Sequence, residues 1–106
     1  MQYQIEIPSV FAFDHTMHRD IWGGDLIKEG KHLWTFRCNE DELAEWIDDA
    51  EFYSNRNHWK GAMSSEEYAD LLPIIKSAER TLKRLKTDFP ERSLVGYKKI
   101  SVPHLL

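Results

Sequence analysis

The stretch HLWTFRCNEDELAEWIDDAEFY, residues 32–53, changes its hydrophobic period at Asn39, and this change decides the fold class. Before Asn39, large or apolar side chains occupy every second position and so share one face of a strand: His32, Trp34, Phe36 and Cys38. After Asn39, apolar residues recur at helical spacing: Leu43, Trp46, Ile47, Ala50 and Tyr53. Asn39 followed by Glu42 matches a capping box, so the sequence predicts a helix over residues 40–53.

The residues before this stretch extend the strand pattern toward the N-terminus. Glu29 and Gly30 lie between two strand-like arms and predict a hairpin turn. Apolar side chains at most odd positions predict one strand over residues 3–13, bent at Pro8, which cannot donate to a strand ladder. Residues 14–25 are predicted to form a polar loop.

The residues after the first helix predict a loop over 54–63 and then a long helix. Ser64 and Glu67 form a second capping signal. One apolar seam follows, made of Leu71, Ile75, Ala78, Leu82 and Leu85. Pro73 either kinks one helix or begins a second one, and the residues DFPE (88–91) end it. The tail offers a last strand at 97–102.

These patterns predict an α+β fold within a single domain spanning residues 1–106. A small antiparallel sheet of two to four strands, the N-terminal strand plus the hairpin, is packed by a helical hairpin. One cysteine, Cys38, allows no intrachain disulfide and favours a reducing compartment. The absence of a signal peptide or a membrane-spanning apolar run predicts a cytoplasmic protein.

The segment FAFDHTMHRD (11–20) contains the residue types of a metal site. His15, His18 and Asp20 offer imidazole and carboxylate ligands for zinc, manganese or iron. Such a site needs a further ligand from elsewhere, for example His32, His58 or Cys38, and no second HxxH or CxxC motif occurs. The alternative is an ordinary polar loop with aspartate turns and solvated histidines.

Cys38 is a weak candidate for catalysis, because it is in phase with Trp34 and Phe36. That position predicts a small buried side chain with a raised pKa. The sequence therefore predicts no catalytic residue and no cofactor.

The first helix is acidic and carries no basic residue over residues 39–51. Asp41, Glu45 and Asp48 lie one turn apart, opposite the Leu43–Trp46–Ile47 stripe, and can meet a basic partner. Trp22 and Trp59, each in a predicted loop, are candidate interface anchors. The alternatives are acids that only complement a helix N-terminus and tryptophans that cover the sheet.

The long helix concentrates basic residues in its C-terminal half, over residues 76–92. Lys76, Arg80, Lys83 and Arg84 would form a phosphate-contacting stripe. The net charge of −4 argues against a dedicated nucleic-acid binder.

The hypothesis that best fits the sequence is a small, non-enzymatic protein-binding module, an adaptor or inhibitor, that acts as a monomer or homodimer. Its size and charge suit a phage or bacterial accessory protein. The alternatives are a metal-dependent hydrolase or nuclease built on His15, His18 and Asp20, and a nucleic-acid binder that uses residues 76–92.

Overall fold

A computed structural model describes residues 2–19 and 23–90, with side chains described for residues 2–16 and 23–90. A three-stranded antiparallel sheet contains β1 (Tyr3–Pro8), β2 (Asp25–Glu29) and β3 (Leu33–Cys38), with β3 in the centre. Cross-strand pairs such as Ile5 with Phe36 bring apolar side chains to the same face. The predicted hairpin is confirmed, and Gly30 N–H donates to Leu33 O at its turn (3.0 Å).

The helices are α1 (Ser9–Arg19), α2 (Glu40–Ser54), α3 (Arg56–Ala62) and α4 (Ser65–Asp88). Both predicted capping boxes are present: the Asn39 side chain accepts from Glu42 N–H, and the Ser64 hydroxyl accepts from Glu67 N–H. α2 packs chiefly against α4. The α+β architecture of sheet and helical hairpin is therefore confirmed.

The largest error of the sequence prediction concerns residues 9–19, which form α1 and not a continuation of the strand followed by a loop. Pro8 ends the strand because it has no N–H for the ladder. In a helix Phe11 and Phe13 point to nearly opposite sides, so Phe11 is buried whereas Phe13 is exposed. His15 lies one turn after Phe11 on the same side.

Two further predictions are settled in the second half of the chain. The predicted loop over residues 54–63 contains the short helix α3, capped by the Asn55 side chain, which accepts from His58 N–H. α4 continues through Pro73 as one helix, so no second helix begins there. The tail strand predicted at 97–102 lies outside the described residues.

The core lies between the inner face of the sheet and helices α1, α2 and α4. Trp46 is its largest fully buried side chain. Its indole stacks on the His15 ring (centroids 4.0 Å apart) and contacts Phe36 (5.0 Å). Its Nε1–H donates to Gly23 O at 3.0 Å. Trp46 thus joins α1, α2, the sheet and the residues that lead into β2.

Gly24 is required by the close approach of this segment to β3. Its φ is +87°, and a Cβ there would lie 2.5 Å from Arg37 O. We expect Gly24→Ala to lower the free energy of unfolding by about 1–3 kcal/mol. Gly61→Ala is the matched control: a Cβ there meets nothing within 4 Å, so this change should be neutral or stabilising by up to about 1 kcal/mol. Urea unfolding measures the stability of both variants. Equal stabilities would contradict the positive φ of Gly24 and its close approach to Arg37 O.

Candidate functional site

An acidic face runs along α2 on the side away from the core. Asp41, Glu45 and Asp48 are spaced four and three residues apart and therefore share one face of the helix. The opposite face, with Leu43, Trp46 and Ile47, is fully buried. Asp41 is exposed, whereas Glu45 and Asp48 are half-buried. The three acids therefore lie opposite the buried stripe.

The acidic face continues into an aromatic cluster at the C-terminal end of α2. Phe52 lies four residues after Asp48, on the same face, and is 49% exposed. Its ring meets the edge of the Trp59 ring (centroids 5.0 Å apart) and contacts the His58 ring (5.8 Å). We call this combined surface the acidic–aromatic ridge. It consists of Asp41, Glu45, Asp48, Phe52, His58 and Trp59.

Trp59 is less exposed than its predicted position in a loop implied. It belongs to α3, is half-buried and stacks on Tyr53 (5.5 Å, 16° between planes). Its Nε1–H donates to Tyr53 O at 3.1 Å. Trp59 packs on α2 and contacts Phe52, which is the more exposed of the two rings. Trp22, the other predicted anchor, lies outside the described residues.

An ion pair connects α3 to α4. Because α3 carries His58 and Trp59, this ion pair also holds one end of the acidic–aromatic ridge in position. Arg56 donates two hydrogen bonds to Glu79, Nε–H to Oε2 (2.7 Å) and Nη2–H to Oε1 (2.8 Å). These bonds hold the pKa of Glu79 below its usual value of 4.5 and raise the pKa of Arg56. At a pH above the usual pKa of Glu79, the ion pair therefore stabilises the attachment of α3 to α4. This stabilisation is lost as the pH falls through the lowered pKa of Glu79 in the folded protein.

His15 is placed in the core, which corrects its predicted position in a polar loop. It is 1% exposed, and its Nδ1–H donates to Asp49 Oδ2 at 2.6 Å. Within the described part of the chain, its Nε2 has no hydrogen-bond partner. This geometry gives the imidazole a fixed orientation between Trp46 and Asp49, a structural link between α1 and α2.

Of the three predicted metal ligands, His15 is the one whose side chain the structure describes. His18 lies on α1, but its side chain is not among those described, and Asp20 is outside the described ranges. Among residues with described side chains, no group of three or more His, Cys, Asp or Glu is placed to hold a metal ion. The site at His15, His18 and Asp20 stays a prediction.

Cys38 is a buried thiol at the end of β3. Burial raises its pKa to about 12, and the negative charge of Glu42 acts in the same direction. The folded protein therefore keeps a proton that the unfolded chain loses, so Cys38 lowers the stability as the pH rises from about 9 to 12.

We expect the Cys38 thiol to react with a disulfide reagent at pH 8 at least ~100-fold more slowly in the folded protein than in denaturant. The absorbance of the released thiolate measures both rates. Rapid stoichiometric reaction of the native protein would show that Cys38 is accessible, contrary to this structure.

The basic stripe of α4 is solvent-exposed at all four predicted positions: Lys76, Arg80, Lys83 and Arg84. Arg84 Nη2–H donates to Glu6 Oε1 on β1 at 2.9 Å. Arg80 and Arg84 face the first residues of α1 and β3, whereas Lys83 does not line that space. Within the stripe, Arg80 and Arg84 therefore line a depression, whereas Lys83 lies outside it.

Comparisons with protein-family models, curated proteins and solved structures find no match to this chain. No helix in the described ranges is both long and apolar enough to cross a membrane.

Sequence patterns did not identify Phe52 and Phe13 as exposed, although these are the two most exposed large apolar side chains among the described residues. Phe52 is out of phase with the Leu43–Trp46–Ile47 stripe and in phase with Asp48, which is a signal that could have identified it. Phe13 was hidden by the strand prediction, which placed it beside Phe11 on the buried face. Its position in a helix reverses that placement.

Proposed function

We propose that the protein is a non-enzymatic protein-binding module that uses the acidic–aromatic ridge to hold a partner with a basic surface. The observation that carries this proposal is the continuity of the three acids with Phe52 on one face of α2, where Phe52 contacts His58 and Trp59 of α3. The carboxylates are complementary in charge to a basic surface and orient the partner as it approaches. The clustered aromatic side chains lose contact with water on binding and contribute most of the binding energy. The setting proposed from size and charge is a cytoplasmic adaptor or inhibitor of phage or bacterial origin.

The ridge is built to bind without large rearrangement. Phe52 rests on Trp59, Trp59 is stacked on Tyr53, and Arg56 ties α3 to α4. A side chain held in this way loses little conformational freedom on binding. The partner that fits carries lysines or arginines opposite α2 and an apolar recess for Phe52.

Charge reversal along the ridge tests this function. We expect the triple variant Asp41→Lys/Glu45→Lys/Asp48→Lys to lose the partners that the wild-type protein captures from its native host. The control is Glu66→Lys/Asp70→Lys, which reverses two exposed acids on α4. Thermal unfolding confirms that each bait is folded. Equal capture by the wild type and the triple variant would refute the ridge as the binding surface.

A further inference from the structure

A groove with an apolar floor and a basic end lies between α1, β3 and α4. It consists of two adjoining depressions, each of about 510 Å3, which share Ser9 and Val10. We call it the α1–α4 groove. Its floor residues are Val10, Phe13, Leu33, Trp34 and Ile74, and its basic residues are His32, Arg80 and Arg84.

The floor exposes apolar side chains that a folded protein ordinarily covers. Phe13 is 57% exposed and Val10 45%, and both point outward from α1. The Phe13 ring meets the half-buried Trp34 ring edge to face (centroids 6.4 Å apart). Contiguous apolar surface of this kind, rimmed by polar residues, is typical of interaction sites. Its openness suits a chain segment more than an enclosed small molecule.

The basic end contains two arginines that differ in their ion pairs. Arg80 and Arg84 lie one turn apart on α4, and Arg84 pairs with Glu6 (2.9 Å) and, at longer range, with Asp88 (3.8 Å). Arg80 Nη2–H donates only a long bond to Ser77 Oγ (3.4 Å), and in the described part of the chain Arg80 forms no ion pair. Its guanidinium therefore has donors left for a carboxylate.

The groove walls are joined at this end by the backbone. Ser9 N–H donates to His32 O at 2.9 Å, which fixes the start of α1 against the residue that precedes β3. Asp14 lines the opposite, apolar end. Among the described lining residues, the groove is thus polarised along its length, with the arginines at one end and Asp14 at the other.

We propose that the α1–α4 groove binds an acidic segment of a partner protein. An acidic side chain of the segment pairs with Arg80, and its apolar side chains cover Val10, Phe13 and Trp34. Charge complementarity selects this occupant. The chain's own residues 91–106 fit the groove less well as an occupant. They carry three basic residues, Arg92, Lys98 and Lys99, and one acid, Glu91, so their net charge has the same sign as the basic end.

Nucleic acid explains the groove less well than an acidic segment does. A phosphate backbone pairs with Arg80 and Arg84 but does not require exposed aliphatic side chains. It would also use Lys83, which is exposed one residue before Arg84 and does not line the groove. Lys83 therefore separates the two occupants experimentally.

Selection from a library of random displayed peptides on the full-length protein tests the proposal. We expect the enriched peptides to combine Asp or Glu with Leu, Phe or Trp. The most enriched one is synthesised, and its affinity is measured by fluorescence anisotropy. Arg80→Glu and Phe13→Ala should each weaken binding at least ~10-fold. The matched control Lys83→Glu should stay within about 3-fold of wild type.

Other outcomes overturn the proposal. Enriched peptides without acids, peptides bound equally well by Arg80→Glu, or no enrichment at all would each remove it. Oligonucleotide binding that Arg80→Glu and Lys83→Glu weaken equally would assign the stripe to nucleic acid. A wild-type dimer in sedimentation that Arg80→Glu dissociates would assign the groove to a second copy of the chain. Circular dichroism melting confirms that the variants are folded.

Discussion

Trp46→Ala is expected to lower the free energy of unfolding by about 3–5 kcal/mol, the usual cost of truncating a buried aromatic side chain. The indole of Trp46, in α2, is fully buried and touches Phe11 and His15 of α1 and Phe36 of β3. The truncation also leaves Gly23 O without the indole donor, a buried polar loss that adds to the cavity. No other single side chain joins as many elements through ring contacts in the described part of the chain.

Urea unfolding followed by circular dichroism measures this effect. Trp46→Phe keeps a ring in the cavity but removes the bond to Gly23 O, and should cost about 1–3 kcal/mol. Phe52→Ala is the exposed control and should cost less than about 1 kcal/mol. A Trp46→Ala protein within 1 kcal/mol of wild type would contradict the position assigned to this side chain.

Asp49→Ala is expected to cost about 2–4 kcal/mol, because it leaves the buried His15 ring without its carboxylate partner. Asp49 is 4% exposed, so water cannot easily replace the lost hydrogen bond. The pair connects α1 to α2, and its loss should loosen the attachment of α1 to the core.

A double-mutant cycle isolates this interaction. The variant His15→Leu/Asp49→Leu removes both polar groups, so it should be more stable than the sum of the two single leucine variants predicts, by about 1–3 kcal/mol. Glu51→Ala, on the same helix and half-buried, is the control and should change stability by less than about 0.5 kcal/mol. Strict additivity of His15→Leu and Asp49→Leu would show that the 2.6 Å hydrogen bond contributes nothing.

The sequence predicted the elements whose signals are local. Asn39 with Glu42, and Ser64 with Glu67, form capping boxes whose hydrogen bonds lie within one helical turn, so both helix starts were found correctly. Cys38 was also predicted correctly, because its phase with Phe36 determines its burial. Continuity of α4 through Pro73 needed the structure, since a proline near a helix start fits two arrangements.

The conformation of residues 9–19 was predicted wrongly because contacts with residues far along the chain determine it. Phe11 and Phe13 alternate like a strand, and their intrinsic preference supports that interpretation. The helix forms because it buries Phe11 and His15 against Trp46, contacts that lie 35 and 31 residues apart along the chain. Consequently neither the α1–α4 groove nor the His15–Asp49 pair was visible from sequence patterns.

The two surfaces have different chemistry, which fits an adaptor that joins two partners. The acidic–aromatic ridge on α2 and α3 suits a basic partner, whereas the α1–α4 groove suits an acidic segment. Each has one exposed phenylalanine, Phe52 in the ridge and Phe13 in the groove, so the surfaces can be disabled one at a time.

The most direct test of the ridge is the affinity of the captured partner, measured by isothermal titration calorimetry against wild type, Phe52→Ala and Phe13→Ala. We predict that Phe52→Ala weakens binding at least ~10-fold, whereas Phe13→Ala leaves the Kd unchanged. A partner that binds Phe52→Ala as tightly as wild type would contradict the central claim that the acidic–aromatic ridge is the binding surface.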